Sequence, residues 1–215
     1  MMKPSKKFKI LIFDMDGVLF DTIPFAKDNF LSNYSGTTDE MYKDIHKGNF
    51  HEEIKKYSHL KKEETEEEKN SRIQEYSEGK SKMPMFKGIR EFLEKLHAEG
   101  YILVLNTNAY ELNCFPILEK SNITHLFNFV AAAELSKSKV EKFRLIEEKY
   151  NVSKKDILFI TDALGDVREA DISNIPTVAV TWGVHDRSFL KSEPHQNLIG
   201  IVDTVKELED FIESN

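Results

Sequence analysis

Residues 10–21 read ILIFDMDGVLFD. The run opens apolar and rich in β-formers, and residues 8–13 (FKILIF) predict a short buried strand that Asp14-Met15-Asp16-Gly17 brings to an end. Four later runs have the same character: residues 101–105 (YILVL), 129–132 (FVAA), 157–160 (ILFI) and 177–180 (TVAV). A weaker one is 198–202 (LIGIV). Strands that are apolar on both sides belong to parallel sheets covered on both faces. Helical stripes lie between them. Ile89, Phe92, Leu93 and Leu96 are spaced i, i+3, i+4, i+7 ahead of Gly100, and Val140, Phe143, Ile146 and Tyr150 show a similar stripe. Leu208, Phe211 and Ile212 predict a closing helix. The alternation implies an α/β fold, a Rossmann-like parallel sheet with right-handed crossovers.

The alternation breaks after the first strand. Between about Phe20 and Met85 the chain offers only sparse apolar positions at helical spacing, such as Phe25, Phe30, Tyr34, Met41, Ile45, Ile54 and Tyr57. Residues 61–69 (KKEETEEEK) read as a solvated helix face. The expected organisation is a core of residues 1–20 and 85–215 carrying an inserted helical cap, residues 21–84, with Ser81-Lys82-Met83-Pro84 as the return linker. The 215 residues suit one domain with such an insertion. A net charge of −7 argues against nucleic acid or an anionic membrane as a bulk partner. The single cysteine, Cys114, excludes an internal disulfide framework and a cysteine zinc site. No apolar run is long enough to span a membrane, and the basic start is followed by too short an apolar run for a signal peptide. A cytoplasmic protein is expected.

Ligands of open α/β sheets bind outside the carboxyl ends of the strands. There the sequence places Asp14 and Asp16, then Asn106-Thr107-Asn108, then Glu134 with Lys137 and Lys139, then Thr161, Asp162 and Asp166. Asp14 and Asp162 are hard oxygen ligands suited to Mg²⁺. An Asp can also attack phosphorus. A sharp turn at Gly17 would swing Asp16 back to exchange protons. Thr107 and a helix N-terminus would hold phosphoryl oxygens, and a lysine would neutralise charge on the transferred group. Taken singly, each residue has a blander reading: strand-end Asp as turn or cap, Thr107-Asn108 as the cap of a helix starting near Ala109, Asp166 as a cap for residues 167–170, and each lysine as surface charge. Four successive strand ends in this order make coincidence a poor account.

With these residues the chain resembles the haloacid dehalogenase-like hydrolases, over residues 10 to about 182. ILIFDMDGVLFD matches the family's first motif, YILVLNTN with Thr107 the second, and ILFITDALGD with Asp162 and Asp166 the fourth. The third motif is one lysine. SKSKVEKF offers Lys137 and Lys139, and its likeness to the GKGKV stretch of phosphoserine phosphatases favours Lys137. The resemblance implies Asp14 as nucleophile and Asp16 as acid and then base. It implies Mg²⁺ on Asp14, the Asp16 carbonyl and Asp162, with Asp166 behind them, and phosphate held by Thr107, Asn108 and Lys137. The insertion resembles a C1-type cap as in phosphoglycolate phosphatases and β-phosphoglucomutases, hinged at residues 18–22 and 82–86. Its histidines His46, His51 and His59 each read first as ordinary surface or core residues, any one of which could touch substrate.

The implied function is an Mg²⁺-dependent phosphatase acting on a small phosphorylated metabolite, as a monomer or homodimer. A phosphomutase shares the same motifs. A non-catalytic phosphate-binding protein on this scaffold would be expected to have lost Asp14, Asp16 or Asp162. Dehalogenases and phosphonate hydrolases usually lack an acid at the Asp16 position. Two departures stand out: Thr161, where the family often has Gly, and Ser138, where Pro frequently follows the lysine.

Overall fold

All six apolar runs are strands of a single sheet in the computed structural model, which describes residues 7–215. The basic start of the chain lies outside the described residues. The strands are β1 (Ile10–Phe13), β2 (Ile102–Asn106), β3 (Phe129–Ala131), β4 (Ile157–Thr161), β5 (Thr177–Val180) and β6 (Leu198–Val202). Their order is β3-β2-β1-β4-β5-β6 and every pairing is parallel. The chain steps outward from β1 through β2 to β3, then returns to the other side of β1 for β4. The order therefore reverses between β1 and β4, where a sheet of this kind opens a crevice. Ile10 sits between Ile102 and Ile157 in register, and Phe13 between Leu105 and Ile160.

Four helices occupy the insertion: α1 (Ile23–Asn33), α2 (Asp39–Asp44), α3 (Phe50–Glu53) and α4 (Glu66–Lys80), with a 3₁₀ segment at Ile54–Leu60. The charged run 61–69 is solvated as expected, but only its second half is helical. Thr65 caps α4 and Glu68 returns the bond to the Thr65 backbone, which fixes the helix start there. The apolar interior of the insertion is small. Phe30, Tyr42 and Ile45 complete it by packing on Ala163 and Val184 of the core. The entering and leaving chains run side by side. The Asp21 amide donates to Pro84 O (2.9 Å), and the Phe86 amide donates to Leu19 O (3.1 Å).

The remaining helices are α5 (Ile89–Ala98), α6 (Glu111–Lys120), α7 (Lys139–Tyr150), α8 (Leu164–Ser173), α9 (Arg187–Leu190) and α10 (Val205–Glu213). They cover the sheet on both sides. Leu11 and Phe13 meet the buried stripes of α5, α6 and α10 on one face. Ile10 and Ile12 meet Phe143 and Ile146 of α7 and Ala170 of α8 on the other. This double cover explains why the strands read as unbroken apolar runs. Among the described residues no helix is long and apolar enough to cross a membrane.

Candidate active site

β1 and β4 deliver Asp14 and Asp162 to the point where the strand order reverses. The Asp14 amide donates to Ile160 O (2.9 Å), tying the end of β1 to β4. The turn that follows lies hard against Asp162. Gly17 has φ +73°, and a Cβ there would stand 2.1 Å from Asp162 Oδ2. Only glycine meets both demands. The same Oδ2 accepts the Val184 amide at 2.6 Å.

Lys139 is fully buried between two of the aspartates. Its Nζ lies 3.1 Å from Asp14 Oδ1 and 2.6 Å from Asp166 Oδ2. Thr161 donates its hydroxyl to the same Asp166 oxygen (2.7 Å). The Thr161 departure thus supplies a bond that glycine could not, and Asp166 is held by the site rather than capping α8. Burial pushes the Asp14 carboxyl up to about 7, with the Lys139 charge opposing. Burial raises Asp162 well above the usual carboxylate range, and the neighbouring Asp14 charge adds to it.

A model of the haloacid dehalogenase-like hydrolases matches residues 11–180. The chain belongs to that family. A phosphoglycolate phosphatase from Mesorhizobium japonicum is 24% identical to this hydrolase over 86% of the chain and 88% of the relative. A haloacid dehalogenase-like hydrolase from Streptococcus pneumoniae superposes with TM-score 0.74 at 17% identity, covering 95% of this chain and 98% of its own. CbbY from Rhodobacter sphaeroides, in complex with phosphate, superposes with TM-score 0.73 at 16% identity, covering 94% and 96%.

The hydrolase brings Lys139, not the expected Lys137, to the aspartates. Ser138 caps α7, so Lys139 is the first helical residue, and helical side chains lean back over the N-terminus. Lys137 precedes the cap. It is exposed, and among the described residues only its carbonyl is engaged, by Asn49 Nδ2 (2.7 Å). One turn beyond Lys139, the buried Lys142 donates to the Thr107 carbonyl (2.6 Å). Burial, and then the Lys139 charge, lower the Lys142 ammonium to about 7, against the pull of Asp14, Asp166 and Glu169. The unfolded chain therefore holds more protons here than the folded one between about pH 7 and 10, and stability rises with pH in that window. Lys142→Met should remove that rise. Melting temperatures of the two proteins, measured across pH 7–10, should converge towards the alkaline end.

Thr107 is buried at the end of β2, and its hydroxyl accepts the Ala109 amide (3.0 Å). The following helix begins at Glu111, later than expected, and its first amide is already taken by the Glu134 carboxylate (2.9 and 3.0 Å). That end of α6 is thus satisfied by an internal anion. Asn108 offers its carbonyl to His51 Nε2 (3.2 Å), and its side-chain oxygen is buried without a partner among the described residues.

Asp16 is held from the insertion side. Lys80, the last residue of α4, reaches Oδ2 at 2.7 Å, and Thr22 donates to Oδ1 at 2.6 Å. Lys80 is itself buried. Desolvation works to lower its pKa, but the Asp16 charge and bond outweigh it and leave it raised. Neither residue was indicated by the motifs. Lys80 reads in sequence as an ordinary cation at a helix C-terminus.

The insertion closes a cavity of about 640 Å³ over the aspartates. His46 and His51 line it, whereas His59 is exposed and outside it. Burial lowers both ring pKa values, that of His46 to about 4. The core meets the insertion closely at Gly165, whose amide donates to His46 O (2.8 Å). A Cβ at Gly165 would stand 2.2 Å from Gly48 O. Gly165→Ala should therefore lift the insertion from α8. We expect kcat/KM to fall by about 10²-fold, the effect of displacing a site wall by about 1 Å. The melting temperature should move little, because the sheet is untouched.

The acids also fit a divalent cation. Asp14 and Asp162 are buried carboxylates that raise one another's energy, and a cation between them relieves it. Among the described residues no cluster of three or more His, Cys, Asp or Glu side chains forms a metal cage. Two carboxylates, with the remaining positions left to water and substrate phosphate, is the donor set Mg²⁺ accepts.

Proposed function

We propose that this hydrolase is an Mg²⁺-dependent phosphatase that cleaves a small phosphate monoester through an aspartyl-phosphate. The observation that carries the reading is Asp14, beside Asp162 at the strand-order reversal, with buried Lys139 bridging it to Asp166. In this reading an Asp14 oxygen attacks phosphorus and the bond from phosphorus to the ester oxygen breaks. Asp16 gives its proton to the leaving oxygen. It then takes a proton from the water that attacks the aspartyl-phosphate, which frees inorganic phosphate and restores both groups. Thr22 and Lys80 orient Asp16 for these transfers, the first of which requires Asp16 to take up a proton in place of its ion pair with Lys80. Lys139 balances charge on the transferred group, and Thr107 with Asn108 border the phosphate position. Asp14, Asp162 and the Asp16 carbonyl would hold Mg²⁺, with Asp166 behind them. The metal would supply Lewis-acid stabilisation of the phosphoryl oxygens.

The phosphatase named among the relatives supports this reading. A small phosphorylated metabolite as partner, a monomer or homodimer, and a cytoplasmic location belong to the same proposal. So does a cap of residues 21–84 moving on the paired linkers. The acidic balance supports the absence of nucleic acid. The test is inorganic phosphate release from a panel of esters, with Mg²⁺ and with a chelator. Release that requires metal supports hydrolysis. Phosphoryl transfer between two positions of a sugar without release would point to a phosphomutase instead.

A further inference from the structure

The cavity over the aspartates carries a run of aromatic rings on the side of the insertion. Tyr34 stacks on Phe30 (4.9 Å between centroids), Phe30 meets Tyr42 (5.8 Å), and Tyr42 meets His46 (5.0 Å). The run continues from His46 to Phe50 (5.5 Å) and from Phe50 to His51 (5.6 Å). All six rings line the cavity that contains Asp14 and Asp16. The two imidazoles are neutral near pH 7, because burial disfavours their charged forms. The wall is therefore uncharged along its length.

The described cations that line the cavity are already engaged. Lys80 holds Asp16, while Lys61 and Arg72 share Glu64. A second anionic end on the substrate, such as a carboxylate, would have to compete with these pairs. A two-carbon ester would reach only the Asp14 end of a space of about 640 Å³, which is the size that encloses a ring-bearing ligand. Among the described residues, three buried polar atoms of lining residues lack partners: His46 Nε2, Asn108 Oδ1 and Asn113 Oδ1. A heterocycle would bring polar edge atoms to such unpartnered groups and faces to the rings.

Resting on the phosphatase reading, we infer that the substrate is the phosphate monoester of an alcohol bearing a planar, uncharged heteroaromatic ring. The ring would lie against the wall from Tyr34 to His51, with the phosphate at Asp14.

The test compares kcat/KM for adenosine 5′-monophosphate and uridine 5′-monophosphate, whose rings are uncharged near pH 7, with that for 2-phosphoglycolate and glycerol 3-phosphate. At least one ring ester should exceed both aliphatic esters by tenfold or more. In Phe50→Leu and Tyr34→Leu, which keep apolar bulk but remove a ring face, that ratio should fall about two- to tenfold. Asp14-dependent turnover that favours an aliphatic ester would overturn the inference and leave the phosphatase reading standing. A ratio unchanged in both variants would also overturn it, since the wall would not be selecting. No Asp14-dependent release from any ester, p-nitrophenyl phosphate included, would remove the phosphatase reading itself.

Discussion

Asp14→Asn should give a folded protein whose phosphate release falls by at least about 10⁴-fold, the scale of losing a covalent nucleophile. An amide offers no anionic oxygen to attack phosphorus, so the effect falls on kcat. The fold should tolerate the change. Burial already disfavours the Asp14 carboxylate, and a neutral side chain of the same shape removes that penalty. Lys139 keeps Asp166 as a partner. The check is steady-state phosphate release beside a thermal melt. A variant that melts like the wild type and still turns over would exclude Asp14 as nucleophile.

Lys139→Met should damage both activity and stability, while Lys137→Ala should do neither. Removing one member of a buried ionic group leaves charges without compensation and costs about 3–5 kcal/mol. For a chain of this size that lowers the melting temperature by roughly 6–20 °C. Turnover should fall by at least about 10²–10³-fold, as when a charge-stabilising donor is removed. The pH dependence has a definite sign. Without Lys139 the Asp14 carboxyl rises further above its unfolded value. A raised acid penalises the fold above the unfolded pKa, and the penalty fades as pH drops towards 4. The metal-free variant should therefore recover relative stability in acid. Lys137 lies on the surface with only its carbonyl engaged among the described residues, so its side chain should matter by about 0.5 kcal/mol at most.

These two lysines also mark how far the sequence reaches. The strands were legible because cover on both faces demands continuous apolar residues, and Asp14, Asp162 and Asp166 followed from where those strands end. The choice between Lys137 and Lys139 was not, because it depends on which residue opens α7. Ser138 settles that by capping, and a cap of this kind is indistinct among three serine and lysine neighbours. Lys80 was invisible for another reason. Its contact with Asp16 spans 64 residues and exists only once α4 lies across the strand ends. The aromatic wall had the same fate. Its rings are scattered from Phe30 to His51, and in sequence they look like the thin core of a small helical unit.

The paired linkers have a consequence for how such a chain can change. Leu19 and Phe86 are hydrogen-bonded neighbours, although 66 residues lie between them. The sheet's own path is therefore continuous across that junction, and everything between is a side branch grafted at one point. Lengthening, shortening or swapping the branch leaves the strand register and the Asp14, Lys139, Asp162 and Asp166 arrangement where they are. Only Thr22 and Lys80 would travel with it. A lineage can thus exchange the branch while the strand-end groups stay in place, provided the new branch again supplies partners for Asp16.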